Sequence, residues 1–128
     1  LPAATLDALR ADASVLWHGA DWDTPPLYRA MDLLVLPTYR EGFPNVLLEA
    51  ASMEVPVVAT AVDGCTDAVT DGVTGTLVPV HDAKALAAAI LAYLPQPARR
   101  RVHGVAARQR VLAAFSRQVV WDALRDFY

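Results

Sequence analysis

The sequence predicts an α/β fold, a parallel sheet with flanking helices. Three observations carry this. Short apolar runs at 14–18, 33–36, 56–60 and 76–79 alternate with helix-forming stretches. These runs are largely apolar throughout, as strands covered on both faces require. Pro37-Thr38-Tyr39-Arg40-Glu41-Gly42-Phe43-Pro44-Asn45-Val46-Leu47-Leu48-Glu49 then leads from one such run, through a polar loop, into a helix. At 128 residues the chain is one domain, 1–128.

Residues 1–12 carry Leu6 and Leu9 at helical spacing and read as the end of a helix. Residues 14–18 read as a strand ending in His18 and Gly19, and 25–31 as a short helix with Pro near its start. Residues 32–36 form the next strand. Pro44 falls where the following helix, 45–53, should begin, at the first helical position. A strand at 56–60 and a helix around 66–70 follow. Residues 71–75 make a turn into the last strand, 76–79. Asp82 is a plausible N-cap for 83–94, where Leu86, Ile90 and Tyr93 share one face. Beyond Pro95 and Pro97 a polar helix runs to Ala114. Its Arg99, Arg100 and Arg101 read as a solvated face rather than a binding patch. Ser116 can cap a final amphipathic helix containing Val119, Leu124 and Phe127.

Composition excludes several classes. Hydrophobic content of 55% suffices for a core, and a net charge of −3 gives no nucleic-acid footprint. No apolar stretch reaches the ~20 residues that span a bilayer. The single cysteine, Cys65, leaves no intrachain disulfide and fits a cytoplasmic location. Cys65 reads as a small buried or loop thiol before it reads as a nucleophile. The histidines and carboxylates show no metal-ligand spacing, and no G-x-G-x-x-G occurs. His81 and His103 read as surface residues. His18 is either a pocket residue or a tip histidine bonded to backbone.

The two glutamates of the central segment have a use. A helix start offers unpaired N–H groups and the positive end of the macrodipole, suited to phosphate. Glu49 sits about one turn inside, roughly 5–6 Å along the axis. Its carboxylate can accept hydrogen bonds from the diol of a ribose carried on that phosphate. Glu41 lies before the helix, where a group on the far side of the phosphate would reach. Sugar, diphosphate and ribose in a row would match Glu41, helix start and Glu49.

Glu41-Gly42-Phe43-Pro44-Asn45-Val46-Leu47-Leu48-Glu49 resembles the E-x7-E motif of the retaining glycosyltransferases of family four, which have the GT-B fold. The resemblance extends over nearly the whole chain, through 15–19, 26–32, 62–69 and 71–79. It implies a Rossmann-like C-terminal domain that binds a nucleotide-diphosphate sugar and needs no cofactor or metal. It implies that Glu41 holds hydroxyls of the donor sugar and is the residue at the reacting end. Backbone N–H groups of Gly42, Phe43, Pro44's neighbours Asn45 and Val46 would meet sugar and diphosphate, and Glu49 the ribose. His18, Gly19 and Gly64 complete the expected donor contacts. Asp63 departs from the pattern by replacing the first of two usual glycines, and Asp67 stands where Glu is frequent. The parent enzyme would transfer a sugar to an acceptor hydroxyl with retention, in cell-surface polysaccharide or glycolipid synthesis, with peripheral membrane association left open. Alternatives are a non-catalytic nucleotide-sugar-binding module and a nucleotide-sugar epimerase of GT-B architecture.

Against that family the acceptor-binding N-terminal domain is missing, as is the Arg and Lys pair that grips the diphosphate; Lys84 is the only lysine. The first residue is Leu, so the sequence is expected to continue upstream, and this part alone to be inactive. The first two strands of the familiar 3-2-1-4-5-6 order are lacking too. The run at 33–36 should therefore be an open edge. Residues 15–18 should lack a ladder partner. The expectation is a stable unit of three strands, with 1–19 sliding beside 33–36, pairing with another copy or staying loosely packed.

Overall fold

A computed structural model describes residues 2–18 and 23–127. The order is α1 (Ala3–Ala11), α2 (Pro25–Ala30), β1 (Leu34–Leu36), α3 (Asn45–Ser52), β2 (Val57–Thr60), α4 (Asp63–Ala68), β3 (Gly75–Val78), α5 (Ala83–Tyr93), α6 (Pro97–Ala114) and α7 (Arg117–Phe127). Among the described residues the strands form one parallel sheet, β1-β2-β3, with Leu34 opposite Val57 and Val57 opposite Gly75. The fold class is the expected one, and so is the three-stranded unit.

The alternation of a strand sorts β2 between two apolar layers. Val57 and Ala59 face Leu47, Ala50, Cys65 and Val69, supplied by α3, α4 and the segment after it. Val58 faces the other way, onto Val78 and Tyr93 beneath α5. Every residue of β2 is buried. The strand therefore reads as an uninterrupted apolar run.

Residues 15–18 are not a strand. Leu16 is 92% exposed, and no sheet ladder reaches it. A strand survives only where its N–H and C=O groups are paired, and β1 presents an edge without 15–18 beside it. Gly19 lies outside the described residues. Two helix starts also move. Pro44 occupies the N-cap of α3 rather than its first turn, with an extended backbone that its ring tolerates. The fourth helix begins at Asp63, not near Thr66, because Val62 already turns the chain: its carbonyl accepts from the N–H groups of Cys65 and Thr66, both at 2.9 Å. Asp82 caps α5 as expected, accepting from Ala85 N at 2.8 Å.

The long helix α6 braces the α3 end. A side chain at Gly104 would stand 2.0 Å from the carbonyl oxygen of Glu54, so only glycine allows this approach. Glu54 turns the chain out of α3 with φ of 60°. Arg108 donates to Ser52 O at 2.9 Å.

On the opposite face a polar cluster is sealed between β3, α5 and α6. The Tyr93 hydroxyl lies 3.0 Å from Thr76 Oγ1 and 2.8 Å from His103 Nδ1. Arg99 lies 4.6 Å over the Tyr93 ring. Arg100 donates to the carbonyls of Tyr93 and Leu94, which end α5, and pairs with Asp32 at 3.3 Å. This corrects two expectations. His103 is buried, not on the surface, because a buried tyrosine hydroxyl needs a partner. Arg99 and Arg100 are committed to packing and to closing a helix end, not to a solvated face.

Burial, and behind it the charge of Arg99, hold His103 below the ordinary histidine value of 6.5. The neutral ring is thus favoured in the folded state. Its contribution to stability is complete above 6.5 and is lost as pH falls through the lower folded value. The urea midpoint is expected to fall as pH drops below 6.5, and His103→Gln should flatten that slope.

Candidate functional site

The carboxyl ends of parallel strands are where such sheets bind ligands. Here the end of β1 leads into 37–44, that of β2 into 61–62 and that of β3 into 79–82. The Thr60 hydroxyl donates to the carbonyl of Thr38 and ties the first loop to the second strand. Thr38 Oγ1 in turn donates to Arg40 O at 3.0 Å.

The first turn of α4 presses on the same loop. A side-chain carbon at Gly64 would lie 2.2 Å from Gly42 O and 2.8 Å from Glu41 O, both backbone atoms. Gly64, which precedes the expected helix at 66–70, is buried inside α4. Gly42 has open space on its own side and is exposed. Cys65, the residue after Gly64, is fully buried. Burial chiefly, and then the charge of Glu41, push its thiol up. A thiol so placed stays protonated, which favours the buried-thiol reading over the nucleophile.

A hollow of about 350 Å³ opens above this contact, lined by Tyr39, Arg40, Glu41, Val62, Asp63 and Val80 among others. A smaller one, about 210 Å³, lies between Pro37, Thr60, Pro79, His81 and Leu86. Tyr39 lines both. Its ring stacks on His81, centroids 4.5 Å apart and 18° from parallel. His81 adopts φ of 60° to do so.

The helix α3 starts between the two glutamates. Pro44 has no side-chain acceptor, and no side-chain bond caps this end. The first N–H bonded back into the helix start is that of Leu47, to Pro44 O at 3.0 Å. Asn45 is exposed and Val46 half-buried. Phe43 is not turned wholly to solvent; its ring meets Phe115 at 5.6 Å. Arg110 lies 5.6 Å over that Phe115 ring and donates to Asp67 O at 2.7 Å. The end of α6 thus touches both the loop and α4.

Glu49 is exposed on α3, yet its carboxylate is held. The hydroxyl of Tyr28, from α2, donates to Glu49 Oε2 at 2.8 Å. Tyr28 is 5% exposed, and burial first, then Glu49, raise its hydroxyl to about 12. The structure brings Glu41 together with Tyr39, Arg40 and Asp63. It puts Glu49 on the helix beyond, outside that hollow. His18 is exposed in a segment without regular structure rather than at a strand end. Sequence reasoning missed Tyr28, the packing role of Gly64, the Tyr39–His81 stack and Phe115. For Tyr28 a signal existed: a tyrosine in an otherwise apolar helix face wants a hydroxyl partner. Among the described residues no cluster of histidine, cysteine or carboxylates could hold a metal ion, and no helix is long and apolar enough to cross a membrane.

Residues 2–96 match the family model of the group 1 glycosyl transferases. The chain belongs to that family. The chain is 41% identical over 106 residues to the capsular polysaccharide biosynthesis glycosyltransferase CapM of Staphylococcus aureus, covering 83% of this chain and 28% of that protein. It is 48% identical over 88 residues to the D-inositol 3-phosphate glycosyltransferase of Kribbella flavida, 69% of this chain and 20% of that one. Among solved structures, sucrose-phosphate synthase from Thermosynechococcus elongatus superposes with a TM-score of 0.88 at 33% identity, over 98% of this chain and 32% of its own. Anabaena HepE, solved with UDP and glucose, gives 0.84 at 25% identity, over 96% and 35%. These neighbours are GT-B glycosyltransferases. The chain spans 20% to 35% of the length of these relatives.

The contact at Gly64 makes a contrast testable by chemical denaturation. Gly64→Ala should cost about 1–3 kcal/mol, since backbone must move to admit the methyl group. Gly42→Ala, which meets nothing within 4 Å, should change stability by less than about 0.5 kcal/mol.

Proposed function

We propose that this chain is the donor-binding domain of a retaining glycosyltransferase that takes a sugar from a nucleotide-diphosphate donor. The observation that carries the reading is the placement of two carboxylates on either side of an uncapped helix start: Glu41 in the hollow, Glu49 held by Tyr28. The hexosyl group lies on the Glu41 side. The diphosphate meets N–H groups from Gly42 to Val46. The ribose hydroxyls donate to Glu49. In transfer the anomeric bond to the diphosphate breaks and a bond to the acceptor oxygen forms on the same face. The acceptor proton leaves with the departing phosphate. The helix start favours the negative charge that develops there. No resident cofactor enters this reading, and no metal. Relatives named for capsular polysaccharide and inositol phosphate transfer support an acceptor hydroxyl in cell-surface polysaccharide or glycolipid synthesis.

One observation favours a second reading. Asp63 lines the hollow beside Glu41, and its charge opposes a diphosphate close by. A nucleotide-sugar-binding module without turnover would tolerate that.

Calorimetry and transfer assays on the full-length protein carrying this chain test both. Glu49→Ala should weaken UDP or GDP binding by about 1.5–3 kcal/mol, the worth of a charge-assisted hydrogen bond. Glu41→Ala should leave that affinity nearly unchanged while lowering sugar transfer by at least about tenfold. Unchanged nucleotide affinity in Glu49→Ala would sink the ribose assignment. Donor binding without any transfer in the unaltered protein would favour the second reading.

A further inference from the structure

Glu49 raises a problem that its own helix does not solve. It is exposed on α3, and an exposed glutamate explores many rotamers. Fixing such a side chain costs up to about 1.5–2 kcal/mol. A ligand that needed the carboxylate in one orientation would bear that cost on binding, unless the protein had already met it.

Tyr28 meets it. Its ring belongs to the core cluster of Leu47, Ala50, Val55 and Val57, packed between α2 and the sheet. The carbonyl of Tyr28 accepts from Met31 N at 3.1 Å, which fixes the end of α2 as well. Ring and backbone are therefore both immobilised, and the hydroxyl has one place to go: Glu49 Oε2, at 2.8 Å. The chemistry of the partner matters. An arginine in this position could grip both oxygens and neutralise the charge. A phenol gives one hydrogen bond and leaves the carboxylate its full charge. An ionised carboxylate has about four acceptor sites. With one taken on Oε2, Oε1 stays available to a pair of hydroxyls. The raised hydroxyl of Tyr28 keeps it a donor throughout the physiological range.

We propose that Tyr28 is a positioning residue, which aims the Glu49 carboxylate at the two hydroxyls of a ribose and so sets the preference for ribonucleotide over deoxyribonucleotide. This rests on the reading of Glu49 given above. The bond could instead only staple α2 to α3. A staple changes stability and acts on all ligands alike; an aiming bond acts on the ligand that carries both hydroxyls.

The experiment measures affinities for UDP and 2′-deoxy-UDP, and for GDP and 2′-deoxy-GDP, by calorimetry on the full-length protein carrying this chain. The unaltered protein should prefer the ribose form by about tenfold. Tyr28→Phe keeps every carbon of the buried ring, and thermal unfolding verifies that the variant folds. It should cut the preference by at least about threefold, through weaker UDP or GDP binding with the deoxy forms nearly unchanged. Glu49→Ala should abolish the preference, and Tyr28→Phe added to Glu49→Ala should change it no further. A Tyr28→Phe variant that keeps the preference, or weakens ribose and deoxyribose forms equally, overturns the inference while the Glu49 reading stands. A Glu49→Ala variant that keeps it overturns the Glu49 reading itself, and the inference with it.

Discussion

The close approach of Gly64 to the backbone of Glu41 and Gly42 is the contact on which the site depends. Backbone packed on backbone leaves no side chain to flex, so the loop after β1 and the start of α4 form one rigid piece. That piece hangs from β2 through the Thr60 hydroxyl and from β1 directly. Glu41 owes its place in the hollow to these ties more than to bonds of its own carboxylate. Cys65, next in the chain after Gly64, is fully buried in the core cluster with Leu47, Ala50 and Ala59.

A second brace comes from far along the chain. The helix α6 closes on Glu54 through Gly104, and its far end brings Phe115 under Phe43. The same helix contributes His103 and Arg99 to the sealed cluster around Tyr93. One element thus touches the loop, the end of α3 and the opposite face of the sheet. Its polar composition hid this, because histidine and glycine are buried in it where apolar residues would be expected.

What could be read from the sequence was local. Three apolar runs gave β1, β2 and β3 to within a residue or two, since burial on both faces leaves a continuous signal. Asp82 and Ser116 announced their helices because a cap is a relation between residues three apart. What stayed hidden was long-range. Tyr28 and Glu49 are 21 residues apart, and nothing in the spacing pairs them. The start of α4 was misjudged because Asp63-Gly64 reads as loop, whereas close packing demands glycine inside that helix. The run at 15–18 carries a strand pattern without a ladder, and pairing, not pattern, decides a strand. The contact that holds the Glu49 carboxylate comes from α2, on another element.

The complete burial of β2 also divides the chain by its tolerance of change. Its four residues meet neighbours on both faces and both edges, so substitution there disturbs a core. The rim of the hollows is the reverse. Tyr39 is 69% exposed, and Arg40, Val80 and His81 are exposed with it. Changes at such positions alter stability by about 0.5 kcal/mol or less. Scaffold and rim therefore differ in how much change they can absorb. Loop residues around the hollows can thus be rewritten with no compensating change in the sheet.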